Sequence, residues 1–183
     1  MSYFTAVMSR ADDRFHVLDL AVEDVGDLAE LADLIEGAGD DSGEGEAIAV
    51  IEHEDEWFAL IRVLGSDAAV FLSDVDAVAS SPYAELFADY LDSRPDEYEE
   101  DDVVVPDDED DEDSEDDADE DEPQMLDFDT PPTWSGDPGL FSDDGVTADE
   151  LVEQLERHTS DPARVVAHVG EAVGFADVLE AAR

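Results

Sequence analysis

The chain is 183 residues long, sets 56 acidic residues against seven arginines and no lysine, and carries a formal net charge of −49 with no cysteine. That length accommodates one ordinary domain, or two small ones and a linker. The charge disfavours direct grip on tRNA, DNA or an anionic membrane, and the absence of thiols excludes disulfides, thiolate zinc sites and cysteine nucleophiles.

The opening stretch MSYFTAVMSR has no basic region followed by an apolar core, and no apolar run reaches the length of a membrane span. The expectation is a cytoplasmic protein. Residues 2–10 are mostly apolar and β-prone, Asp12-Asp13 supply a turn, and residues 14–22 alternate with Phe15, Val17 and Asp19 opposite His16, Leu18 and Leu20. That pattern predicts a hairpin.

Val25, Leu28, Leu31, Ala32 and Ile35 then recur at helical spacing over 24–38, with Asp24 placed to cap the first turn and Gly37 and Gly39 to end it. GAGDDSGEGE reads as a loop. Three strands follow, over 47–53, 56–64 and 68–74, joined by connections short enough for antiparallel hairpins. Ser81-Pro82 predicts the start of a further helix, whose apolar stripe is Tyr83, Leu86, Phe87, Tyr90 and Leu91. The order ββαβββα gives an α+β domain over 1–93: a small, mostly antiparallel sheet with two helices on one face.

Residues 94–124 cannot form a core. The span 96–122 holds twenty acids and no arginine, so self-repulsion predicts a disordered acidic linker, reaching at most about 90 Å at ~3.3 Å per residue. An irregular Pro/Gly-rich segment follows over 125–146. It carries Met125, Leu126, Phe128, Trp134, Leu140 and Phe141, and either folds back on its own domain or serves as a docking peptide.

The remainder, 147–183, reads as a short helical bundle. TADE fits a capping box, and Leu151 and Leu155 share a face. Asp161-Pro162 starts a second helix with Val165, Val166 and Val169 inward, and Gly174 breaks before FADVLEAAR. These helices are expected to pack on one another or on a partner.

No catalytic, cofactor-binding or metal-ligating set emerges. His53 sits in EHEDE, without the spacing of a zinc protease, and reads as part of an acidic hairpin tip. His158 ends a helix, and His168 reads as a partly buried structural histidine. Neither GxSxG nor a phosphate-cradling glycine motif occurs. DFD at 127–129 begins like a calcium loop that Thr130-Pro131-Pro132 spoils, so only loose binding of divalent cations to the acidic run is expected. Candidate partner-binding residues are Asp107, Asp108, Glu109, Asp110, Asp111, Glu112 and Asp113 in the run, with the aromatic residues Phe128 and Trp134. Trp57, Phe71 and Trp134 are the large aromatics with anchoring capacity, each expected in the core. The strand SYFTAVM is a candidate exposed edge, although the net charge discourages self-association.

MSYFTAV, WFALIRV, VFLSDVDAVASSP and VGFADVLEAAR together resemble the actinobacterial tRNA adenosine deaminase-associated protein family, over residues 1–92 and roughly 140–183. The resemblance implies a non-catalytic accessory protein whose partner is the tRNA-editing adenosine deaminase, since members are encoded beside that enzyme; it brings no catalytic residues. A zinc deaminase needs a histidine and two cysteines, or three cysteines, on its metal, so this chain is not the enzyme itself. Composition alone leaves open an acidic nucleic-acid mimic that binds basic protein surfaces, or a solubilising strap of a salt-adapted protein.

Overall fold

A computed structural model describes residues 3–11, 14–38, 46–54, 56–65, 67–92 and 132–183. The predicted disordered linker therefore lies outside the described residues. Two stretches, up to Arg94 and from Thr133 onward, build one compact unit.

Six antiparallel strands form its sheet: β1 (Tyr3–Ala11), β2 (Arg14–Leu18), β3 (Glu46–His53), β4 (Trp57–Leu64), β5 (Asp67–Leu72) and β6 (Ser135–Gly136), in the order β2-β1-β3-β4-β5-β6. The first hairpin forms as predicted, with Val7 opposite Leu18 and Ala11 opposite Arg14. β1 is not the edge that its apolar sequence suggested. It lies between β2 and β3, pairing Tyr3 with His53 and Ser9 with Ala47. The edges are β2 and the two-residue β6.

Ala47 to Ile51 and Trp57 to Ile61 are all buried, whichever way their side chains point. Near-continuous apolar strands of this kind are the mark of a sheet covered on both faces. The helices of the first stretch lie on one face, as expected, and the C-terminal segment, expected to pack on itself or on a partner, covers the other. One face carries Val7, Ala49, Ile51, Ile61 and Leu72 against α1 (Leu28–Ala38), α2 (Val75–Ala79) and the turns after it, through Leu31, Ile35, Val78, Tyr83 and Phe87. The other carries Met8, Ile48, Val50, Phe58, Leu60 and Phe71 against Phe141, Val146, Val165, Val169 and Phe175 from the C-terminal segment.

Local chemistry sets the helix ends. Residues 22–24 form a 3₁₀ turn, so Asp24 is not the cap of α1. Asp27 takes that role: its Oδ1 accepts from Glu30 N at 2.7 Å, while Glu30 Oε2 accepts from Gly26 N at 2.8 Å. The helix predicted from Ser81-Pro82 is also displaced. Asp74 caps the five-residue α2, accepting from Ala77 N at 3.0 Å. Ser81 Oγ then donates to Val78 O at 2.7 Å and accepts from Tyr83 N at 3.2 Å. Proline cannot continue the helix, and the chain crosses residues 82–87 in turns before α3 (Ala88–Asp92). Tyr83, Leu86 and Phe87 are buried as the predicted stripe requires.

The C-terminal helices are α4 (Ala148–Arg157), α5 (Pro162–Val173) and α6 (Ala176–Ala182). Their predicted start signals are in place: Thr147 Oγ1 accepts from Glu150 N at 3.3 Å, and Asp161 Oδ1 from Arg164 N at 3.2 Å, with Pro162 at the first turn of α5. Gly174, in the left-handed region at φ 100°, ends α5 and swings Phe175 into the core.

Candidate docking surface

The chain returns from the acidic segment onto the open edge of β5. Thr133 O accepts from Val75 N at 2.8 Å, β6 pairs Ser135 with Leu72 and Gly136 with Phe71, and Asp137 N donates to Val70 O at 2.7 Å. Between these bonds stands Trp134, half-buried, its ring 5.7 Å from that of the fully buried Phe71. Trp134 and Pro138 form one wall of an open groove of about 300 Å³; the outer side of α4 forms the other, with Ala148, Asp149, Val152, Glu153 and Glu156. The helical repeat that aims Leu151 and Leu155 into the core aims these residues outward. Trp57 and Phe71 are core residues, as expected. Asp107 to Asp113 and Phe128 lie outside the described residues.

The wall that carries Trp134 is fixed by an ion cluster that sequence reasoning missed. Arg62 on β4 reaches Glu46 Oε1 at 2.6 Å and Asp144 Oδ2 at 2.9 Å, and donates from Nη1 to Leu140 O at 2.5 Å. Arg10 on β1 completes the square, 3.0 Å from Glu46 Oε2 and 3.5 Å from Asp144 Oδ1. Glu46 Oε1 and Asp144 Oδ2 are held by charge and proximity rather than by well-angled hydrogen bonds. The guanidinium groups also lie over aromatic rings, Arg62 above Phe141 and Arg10 above Phe15, each at 5.6 Å. Two charges of each sign thus tie the segment following Trp134 to the middle of the sheet. An arginine inside the apolar run WFALIRVL was the available signal, because a strand buried on both faces keeps a cation only when it is paired.

A second ion pair closes the C-terminus. Arg183 Nη2 donates to both carboxylate oxygens of Glu52 at 2.6 Å, with Phe4 beneath its guanidinium. Burial raises the Glu52 carboxyl above its usual range, and the Arg183 charge opposes that rise. A raised folded-state value favours the protonated form, so its contribution to stability is present below the unfolded value and lost as pH climbs through the folded one. Replacing Arg183 with glutamine removes the opposing charge. The loss relative to wild type is expected to be about 1–2 kcal/mol at pH 7, discounted for the partial exposure of Arg183, and to shrink on acidification below the ordinary glutamate range. Urea unfolding of both proteins across that pH interval checks it, and an equal difference at both ends would contradict it.

Three of the four histidines take structural places. His53 is the last residue of β3 and is buried, stacked on Tyr3 at 4.3 Å, with Nδ1 2.6 Å from Glu56 Oε2. It sits where the β3–β4 hairpin turns, as expected from EHEDE, and is buried there. Tyr83 meets Tyr3 and Trp57 edge-on, and burial, then the charge of Glu23, pushes its hydroxyl up to about 12. His158 caps the C-terminus of α4, and His168 Nε2 lies 3.0 Å from Glu150 Oε1, both half-exposed.

A cavity of about 80 Å³ is lined by Ser73, Asp74, His158 and Glu56 among others, the residue types of a hydrolytic triad. Ser73 Oγ, however, accepts from Phe58 N at 2.8 Å, and Asp74 is occupied in capping α2. Both side chains hold backbone. Among the described residues no group of three or more His, Asp or Glu side chains is placed to hold a metal ion, and no helix is long and apolar enough to cross a membrane.

The family model for the Rv3753c-like tRNA adenosine deaminase-associated protein matches residues 3–176 of the chain. No curated protein and no solved structure matches it.

Proposed function

The chain belongs to the Rv3753c-like tRNA adenosine deaminase-associated protein family, and from that membership we propose that it is a non-catalytic accessory protein. It binds the tRNA-editing adenosine deaminase in the cytoplasm and modulates wobble-inosine formation. The observation that carries this reading is the extent of the match, which runs through the sheet and through α5 to the first residue of α6.

Chemistry supports it from two sides. Without cysteine the chain cannot hold the metal that activates water in a zinc deaminase, so a role in that pathway falls on the enzyme or its complex. An enzyme that receives tRNA presents cations to phosphate, and this protein presents the opposite surface. Arg10, Arg62, Arg157 and Arg183, four of the seven basic residues, are already paired with carboxylates of the same chain. Among the described residues most of the other carboxylates are exposed. In this reading the folded unit supplies recognition, and the acidic run at 96–122 lies over the basic surface that tRNA would otherwise occupy. Contacts of that kind weaken steeply with salt.

Co-elution of the purified deaminase with this protein at low and moderate ionic strength is the direct test. A complex at low salt that loosens as salt rises is expected; separate elution at both would count against the proposal. The second reading, a nucleic-acid mimic without preference for the deaminase, rests on the same excess of acid. It predicts that affinity purification from the host yields many basic proteins in place of one companion.

A further inference from the structure

We propose that the groove between Trp134 and α4 is a docking site for a lysine- or arginine-bearing segment of a partner protein, whose cation lies against the Trp134 ring. The groove has an apolar floor and an anionic rim. Trp134, Pro138, Ala148 and Val152 give a partner side chain aliphatic and aromatic surface, while Asp149, Glu153 and Glu156 follow one another along α4 at its lip. Among the described residues no basic one lines it; the nearby Arg157 pairs with Glu153 and offsets one of the three rim charges. A long cationic side chain matches both features: its methylene stem lies on apolar surface while its head meets the carboxylates and the ring face.

The occupant is chosen by charge complementarity. Between residues 93 and 131 this chain offers one cation, Arg94, amid acids, so that segment is repelled from the rim. A second copy is disfavoured by its own charge of −49. The wall is also prebuilt. Backbone bonds on both sides of Trp134 and its packing on Phe71 fix the ring before any partner arrives, which lowers the ordering cost of binding. Half-buried tryptophans on rigid supports are the residue type that dominates docking surfaces. The site rests on the accessory-protein reading only for the identity of the partner.

The test uses the full chain with tetralysine as probe and tetraserine as control, at low salt, read by tryptophan emission. Trp57 is buried at 1 % exposure and serves as the silent reference. Tetralysine is expected to change the emission of the wild type and not of Trp134→Phe. The triple variant Asp149→Asn, Glu153→Gln, Glu156→Gln keeps the tryptophan and is expected to need about tenfold more peptide for the same change, since each lost rim charge weakens the pair modestly. Calorimetry meanwhile continues to register peptide bound to the acidic run in every variant. An equal response to tetraserine, or an unchanged midpoint in the triple variant, overturns the proposal. So does a wild type that ignores the peptide while Phe128→Ala shifts its emission, because residues 125–131 would then be the occupant. The peptide experiment stands without the deaminase. Its failure leaves the accessory role untouched, whereas a responsive groove in a protein that never binds the enzyme defeats the accessory role alone.

Discussion

Replacing Arg62 with alanine is expected to remove about 3–4 kcal/mol of unfolding free energy, a large part of what a small domain has. The cause is what stays behind. Glu46 and Asp144 are each less than one-fifth exposed, and without Arg62 both depend on Arg10, which is itself one-third exposed and further from Asp144. The carbonyl of Leu140 also loses its donor. Arg62→Lys keeps a charge but cannot reach two carboxylates and a carbonyl from one planar group, so only part of the stability should return. Adding Glu46→Gln to Arg62→Ala should recover some of the loss by removing an unpaired buried charge. Denaturant unfolding of the three variants checks this. A loss below about 1 kcal/mol for Arg62→Ala would mean that the cluster is screened like a surface pair.

The second large effect is expected at Gly136. Its φ of 98° lies in the region that L side chains avoid, and a Cβ there would stand 2.1 Å from the carbonyl oxygen of Val70. Alanine at this position must break the β5–β6 pairing or displace β5. A cost of about 3 kcal/mol follows from the strained backbone and the overlap together. The damage should stay local: the Trp134 ring loses its seat on Phe71, so its emission should shift before the sheet unfolds. Thermal unfolding followed by tryptophan fluorescence reads both events, and a Gly136→Ala protein with wild-type stability and emission would refute the close approach.

These two positions also mark the limit of what the sequence disclosed. Apolar runs made β3, β4 and β5 legible, and alternation revealed the β1–β2 hairpin. TADE and Asp161-Pro162 located α4 and α5 because capping chemistry acts within four residues. Asp24 was the cap expected for α1, but Asp27 takes that place, where its carboxylate accepts from Glu30 N while the Glu30 side chain accepts from Gly26 N. The five residues of α2 are too few to show a helical period, so VDAVA received no assignment between the strand ending at 74 and Ser81-Pro82. Coverage of the second sheet face could not be seen, because its helices are separated from the sheet in sequence by the acidic segment.

The candidate site divides in the same way. Trp134 stood out as an aromatic residue in a Pro/Gly-rich context, but Asp149, Glu153 and Glu156 look like any solvated helix face until Trp134 is set opposite them. The Arg10, Glu46, Arg62 and Asp144 cluster joins residues from separate stretches of the chain, and no short-range pattern announces it. Locally dictated features were readable; features made by long-range contact were not.

Action through another macromolecule is tested most directly by inosine formation in tRNA by the purified deaminase, followed as this protein is added at low ionic strength. Slower editing, relieved when residues 96–122 are replaced by an uncharged stretch of equal length while the complex persists, is the predicted result. An unchanged editing rate with no complex at low salt would contradict it.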